Sequence, residues 1–242
     1  MKKYLIYTVS DFKSRALDCI DILYNSLLIK NNKDDFDFAI VTTDQALPTS
    51  CTYELFIHKN LNLNYIGWLK YTDMLPAGYE HYIYLDSDII FLDKIENILQ
   101  KDSVTVVSEN YSMSHEWFCY SNASQEEKNK MNEYSGYNAG TFAFNNINFI
   151  QDINNITKSI NYNDLSCLNQ AKMEQSIFNY SLFLKMQNNN LSVNNITNMV
   201  SFSPEKCFDK TIYHFAGYSG EMANKYDRMN NFYKNKDIIC DS

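Results

Sequence analysis

The stretch YIYLDSDIIF, residues 82–91, puts two aspartates into one of the most apolar parts of the chain. An unpaired buried carboxylate is costly and normally shifts its pKa or is excluded. The pair must therefore sit at the mouth of a site or face a positive charge. In an extended chain, residues two apart point the same way, so Asp86 and Asp88 address one cation together. Hard divalent ions such as Mg²⁺ or Mn²⁺ take such oxygen ligands and commonly share them with substrate phosphates. The plain alternative is a strand-end turn or a helix cap. The apolar runs on both sides favour the site.

Around this stretch the chain alternates between strand and helix. YLIYTV (4–9) reads as a buried strand and FDFAIVTTD (36–44) as a second, β-branched one. Between them Leu17, Ile20, Leu23, Leu27 and Leu28 recur at helical spacing, with Ser14 as the expected N-cap. YELFIH reads as a third strand. GWLKYTDMLPAGYE reads as a helix closed by Pro76 and Gly78, followed by the strand HYIYLDSDIIFL. KIENILQ is a short helix, VTVVSE and AGTFAFN are strands, and 168–186 is the best helix of the second half. Such alternation predicts an α/β fold with a mostly parallel, Rossmann-like sheet and helices on both faces. Ligands of such sheets sit beyond the C-terminal strand ends, which is where Asp86 and Asp88 fall. Residues 109–137 break the alternation with a polar run carrying scattered aromatics, and read as an insertion or lid. No linker or repeat divides the chain, so one domain over 1–242 is expected.

Composition excludes some partners. Of 242 residues, 45% are hydrophobic, enough for a core without metals or disulfides, and the formal charge is −8. That charge argues against nucleic acid and against an anionic membrane surface. The six cysteines are widely spaced without a C-x-x-C, as in reduced thiols of a cytoplasmic protein. The lysines at 2 and 3 and the short apolar run after them do not make a signal peptide, and no run approaches the length of a membrane span.

Several segments together resemble the retaining glycosyltransferases of the glycogenin and lipopolysaccharide galactosyltransferase type. YTVSD is similar to that family's uridine-binding start, which implies nucleotide contacts from Tyr7, Thr8 and Val9. Lys70 stands sixteen residues before Asp86, the spacing of the family's donor-contacting basic residue. YLDSDIIFLDKIENI resembles its D-x-D segment, with Asp86, Ser87 and Asp88. YNAGTFAFN resembles its N-A-G strand, where Asn138, Ala139 and Gly140 meet the donor sugar. EQSIFN resembles its D-Q-x-x-x-N helix start, so Glu174 and Gln175 would be the catalytic pair. YHFAGYSG resembles its H-F-x-G segment, with His214 as third metal ligand and Gly217 beside the donor. The resemblance covers nearly the whole chain in order. It implies a GT-A fold, Mn²⁺ or Mg²⁺, a UDP-sugar donor and a glycan, protein or small-molecule hydroxyl acceptor. A homodimer is compatible with it.

The residues depart from the family pattern in three ways. Glu174 stands where Asp is usual, the 109–137 segment is long, and Gly220 occupies the place of a lysine six residues after the metal histidine. The nearest replacements are Lys225 and Arg228, which a helix from Met222 would put on one face. Each residue also has an ordinary reading. His214 in IYHF suits a core histidine, Lys70 a solvated helix face, Asn138 a strand opening, and Glu174-Gln175 a helix first turn. Two other functions fit parts of the chain. One is a silent sugar-nucleotide or glycan binder of the same fold. The other is a metal-dependent nucleotidyltransferase, against which the glycine-free TVSDFKSR counts.

Overall fold

Strand β1 (Tyr4–Val9) sends Leu5 and Tyr7 into one apolar cluster and Tyr4 and Ile6 into another. Apolar residues on both sides of a strand require a sheet covered on both faces. Helix α1 (Ala16–Leu27) brings Ile20, Leu23 and Leu27 to the second face. A short 3-10 turn, Ile66–Tyr71, and two later helices, Ile147–Ser159 and Gln170–Gln187, cover the first. This computed structural model describes residues 2–13, 15–46, 48, 50–59, 66–159, 170–188, 191–202, 204, 209–216 and 222–240.

In chain order the remaining strands are β2 (Phe36–Thr43), β3 (Glu54–His58), β4 (His81–Leu85), β5 (Ile89–Phe91), β6 (Ser103–Ser112), β7 (Ser135–Phe144), β8 (Ser192–Asn195), β9 (Val200–Ser201) and β10 (Ile212–His214). The main sheet has the order β3-β2-β1-β4-β7-β6-β8. Strands β3, β2, β1 and β4 run parallel, β7 is antiparallel to both β4 and β6, and β8 is parallel to β6. The expected mostly parallel α/β sheet is what forms. Strand order reverses between β1 and β4, and open sheets bind ligands at such a switch point. β4 ends one residue before Asp86, and β1 ends just before Ser10 and Asp11.

A small second sheet, β5-β10-β9, hangs from this edge. Its β5–β10 pairing is antiparallel and sets His214 opposite Ile89, the residue after Asp88. The other helices are α2 (Gln125–Met131), α3 (Ile147–Ser159), α4 (Gln170–Gln187) and α5 (Met222–Cys240). Met229 and Phe232 of α5 share an apolar cluster with Cys19 and Ile22 of α1 and with Tyr213 and Phe215.

Four local expectations change. HYIYLDSDIIFL is not one strand: β4 ends at Leu85, residues 86–88 form a turn, and β5 joins the second sheet, so the turn rather than an extended backbone brings Asp86 and Asp88 together. GWLKYTDMLPAGYE is not a helix but the six-residue 3-10 turn followed by irregular chain. Gly67, Trp68, Leu69, Lys70 and Tyr71 are all buried, so the segment has no polar face to turn to water. Helix α1 starts behind Arg15 with no side-chain cap, and Ser14 lies outside the described residues. Residues 109–137 are not irregular throughout. They begin as the end of β6 and finish as the start of β7. Met113, Phe118, Tyr120, Ala123 and Met131 between them are buried, and α2 carries a full Ser124–Glu127 capping box.

Candidate active site

The end of β4, the middle of β7 and the end of β10 meet at one point. Asp86 N–H donates to Gly140 O at 2.8 Å, tying the D-x-D turn to β7, and Phe215 N–H donates to Asp88 O at 2.9 Å, tying it to β10. Nε2 of His214 then lies 3.2 Å from Asp88 Oδ1 and 3.5 Å from Asp86 Oδ2. One ligand atom from each of the three lies within 4.8 Å of the others. A methyl group on Gly140 would stand 2.4 Å from His214 Cε1 and 2.6 Å from Asp86 Oδ2, so only glycine lets β7 pass behind the cluster. Tyr84, two residues before Asp86 and on the same side of the strand, donates its hydroxyl to Asp86 Oδ1 at 2.5 Å.

Two lysines flank the carboxylates. Lys70 is almost wholly buried. Its Nζ lies 2.7 Å from Glu174 Oε1, 3.1 Å from Ala139 O and 3.6 Å from Asp86 Oδ1. Lys225 reaches in from the first turns of α5 to Asp88 Oδ2. Burial alone would raise the Asp88 carboxyl, but His214 and Lys225 outweigh it and hold it far below its usual range. Asp86 is treated alike, burial being outweighed by Lys70 and His214. Burial pulls the His214 imidazole down, yet Asp88 and Asp86 push it up further, to about 9. These neighbours hold both carboxylates ionised.

Beside the cluster lies a cleft of about 280 Å³, lined by Val9, Ser10, Asp11, Ala16, Ile66, Gly67, Lys70, Tyr84, Asp86, Ser87, Asp88 and Lys225. The nucleotide-contact residues expected from the sequence divide around it. Val9, Lys70, Ser87 and the aspartates face it. Tyr7 does not: its ring is in the core and its hydroxyl donates to Lys70 O at 2.8 Å. Thr8 is fully buried. Asn138 sits at the edge of the cluster, donating to Glu109 Oε1 and accepting from Gly140 N–H. Ala139 is held from both sides, its carbonyl by Lys70 and its N–H by Gln175 Oε1 at 3.2 Å. Gly217 and Gly220 lie outside the described residues.

Glu174 does not line the cleft. It is 5% exposed, turned onto Lys70 with its Oε2 bonded to nothing among the described residues, and burial pushes its carboxyl up to about 7. Asn179 bridges Tyr137 and Gln175 by three hydrogen bonds, locking the start of α4 to β7. Sequence reasoning missed Tyr84 and Glu109. The first was findable from its period-2 spacing with Asp86. The second depends on the β6–β7 register, which no local pattern carries.

The chain shares its fold, a GT-A-type sheet with a cleft at the switch point, with solved glycosyltransferases. Among solved structures, the chain matches the glycosyltransferase GlyE of Streptococcus pneumoniae TIGR4 at 13% identity and TM-score 0.52, over 97% of this chain and 64% of GlyE. It matches the bifunctional glycosyltransferase WbbM at 11% identity and TM-score 0.57, over 99% of this chain and 51% of WbbM. It also matches galactosyltransferase LgtC, solved with donor and acceptor sugar analogs, at 13% identity and TM-score 0.52, over 96% of this chain and 95% of LgtC. The chain thus spans about two thirds of GlyE and half of WbbM. No protein-family profile and no curated protein matches it.

Proposed function

We propose that this protein is a metal-dependent, retaining glycosyltransferase that moves a hexose from a UDP-sugar to a hydroxyl acceptor. The observation that carries the reading is the Asp86–Asp88–His214 cluster, set at the switch point of a GT-A sheet beside a cleft. The cluster fits a divalent ion. Its three ligand atoms converge, and Gly140 leaves open the space that a side chain would fill. Two carboxylates with one imidazole suit Mn²⁺ better than Mg²⁺. Such an ion, when bound, acts as a Lewis acid on the diphosphate.

The chain's own groups do the rest. Lys70 and Lys225 provide fixed positive charge along the cleft wall, where charge develops on the leaving diphosphate. Glu174 orients Lys70, and Gln175 fixes the Ala139–Gly140 backbone against which the sugar would lie. The C1–O bond to the diphosphate breaks with its electron pair passing to the phosphate oxygen. The acceptor oxygen bonds to C1, and its proton goes to the departing diphosphate. An amide such as Gln175 is a weak nucleophile, and Glu174 is engaged by Lys70 away from the cleft. Both facts support front-face attack within a tight ion pair over a double displacement. Retention itself rests on the family resemblance.

Calorimetry of UDP binding tests the reading. Binding is expected with Mn²⁺, and loss of it with chelator or in Asp88→Asn. Equal UDP affinity in chelated and metal-loaded protein would sink it. A hydrolysis assay on the UDP-sugars that bind then separates turnover from silent binding.

A further inference from the structure

Strand β7 carries a line of contacts out of the candidate site. At Gly140 the strand abuts Asp86 and His214. At Asn138 the side-chain amide donates to Glu109 Oε1 at 2.9 Å. At Gly136 the space of a missing side chain is taken by the Phe118 ring, 2.6 Å from where a Cβ would stand. The residues between, Tyr137 and Ala139, join the opposite apolar cluster under α4. Positions 136, 138 and 140 therefore share one face. At about 3.3 Å per residue, the four residues from Gly140 put Gly136 about 13 Å along the strand from the carboxylate cluster.

At that far end stands an aromatic group. The rings of Tyr111 and His115 are 4.3 Å apart, and Trp117 is 5.4 Å from each. Phe118 beneath them is fully buried and anchors the group against β7. Tyr111 and Trp117 are 44% and 36% exposed, two of the four large apolar side chains that the described residues leave open. The same excursion buries Met113, Phe118 and Tyr120, so it can shield apolar residues, yet these two face water. Clustered exposed aromatics of this kind mark binding surfaces. Hydroxyl and amide groups run alongside: Ser112 and Ser114 are hydrogen-bonded at 2.7 Å, and Ser114 donates to Asn132.

We infer that Tyr111, His115 and Trp117 form the acceptor subsite, a platform on which a neutral pyranoside ring of a glycan stacks. The inference rests on the glycosyltransferase reading of the neighbouring cleft. A pyranoside has an apolar C–H face and a hydroxylated rim, which matches aromatic rings bordered by Ser112, Ser114 and Asn132. Spacing along β7 matches too. With the donor hexose lying along Asn138, Ala139 and Gly140, the next ring falls toward Gly136, beside the platform. The charge of the ligand follows from Glu109 and Glu116, which flank the aromatics in sequence, and from the net charge of −8: an anionic sugar is repelled.

Saturation-transfer NMR with methyl glycosides of glucose, galactose and N-acetylglucosamine, and with lactose and cellobiose, tests the platform. Titrations use wild type, Tyr111→Ala, Trp117→Ala and Trp117→Phe, and UDP–Mn²⁺ affinity is measured in parallel. At least one neutral glycoside is expected to bind saturably. Its affinity should fall about tenfold in each alanine variant and recover with phenylalanine, while UDP–Mn²⁺ affinity stays unchanged. Trp117 also reports directly, since Trp68 is shielded and the protein has two tryptophans. The inference is overturned if no neutral glycoside binds the wild type or if both alanine variants bind it unchanged. It is also overturned if sedimentation shows a dimer that Trp117→Ala dissociates, which gives the patch to a second copy. Trp117-dependent glycoside binding in a protein that does not bind UDP–Mn²⁺ overturns the transferase reading and keeps the platform.

Discussion

Lys225 Nζ lies 2.5 Å from Asp88 Oδ2, while the other oxygen of that carboxylate, Oδ1, faces His214 at 3.2 Å. One buried aspartate is thus clamped between a helix that begins at Met222 and a strand that ends at His214. This is the positive charge that two aspartates in an apolar run require. It comes from the far end of the chain. Arg228, three residues on, turns instead over the Phe215 ring at 5.5 Å. The two cations that helical spacing puts on one face therefore have different partners.

Removing Lys225 should act on both stability and rate. Lys225→Ala leaves a buried carboxylate half-paired, which costs about 3 kcal/mol in the metal-free protein. Mn²⁺ should recover more stability in the variant than in wild type, because it binds only the folded state. The kcat for transfer should drop about tenfold, since charge on the leaving diphosphate grows in the transition state. Arg228→Ala should leave kcat near wild type. Denaturation with and without Mn²⁺, and steady-state kinetics, read these outcomes. A wild-type rate in Lys225→Ala removes α5 from leaving-group stabilisation.

The two glycines of β7 should separate cleanly. Gly140→Ala would drive a methyl group to within 2.4 Å of His214 and 2.6 Å of Asp86. Mn²⁺ affinity is expected to fall at least tenfold, with some loss of stability as well because His214 is buried. Gly136→Ala meets the buried Phe118 ring and should cost about 1–3 kcal/mol, the usual range for overpacking, with Mn²⁺ affinity kept. Calorimetric Mn²⁺ titration and thermal melts distinguish them. Equal metal affinity in both variants would contradict the cradle.

Glu174 makes stability depend on pH. Burial raises its carboxyl from the ordinary 4.5 to about 7 even with Lys70 at 2.7 Å. A carboxyl that holds its proton more tightly when folded contributes stability that is complete below about 4.5 and is lost as pH rises through about 7. Glu174→Gln stays neutral throughout and escapes that loss. Relative to wild type it should gain stability between pH 5 and pH 8, by at most about 3 kcal/mol. Urea denaturation at both pH values checks this. A variant-minus-wild-type difference that does not change with pH would show that Lys70 fully compensates the buried charge.

The excursion at 109–137 should behave as a lid over donor and acceptor. Hydrogen exchange there is expected to slow when nucleotide sugar and metal bind, chiefly near Tyr111 and Trp117 and less around the buried Phe118 and Met131. Protection that is already high in the free protein and unchanged by ligand rules out a moving lid.

Much of this protein was written locally. The continuous apolar runs at 4–9, 36–43 and 81–85 determined the parallel strands. The spacing of Leu23 and Leu27 determined a helix, and the position of Asp86 and Asp88 just past the apolar run 81–85 determined where a site must lie. Side-chain direction along an element follows from backbone geometry alone, so sequence suffices for these. Tertiary structure decided which charges meet. Lys70, expected on a helix as a donor-contacting cation, became a buried one, because Glu174, 104 residues away, and the carbonyl of Ala139 close around it. The same reach turned Glu174 away from the cleft, joined Glu109 to Asn138 across the β6–β7 pair, and set Lys225 on Asp88. A buried charge takes the lowest-energy partner that the packed chain brings within a few ångströms, and that choice depends on sheet register and helix docking rather than on sequence neighbours.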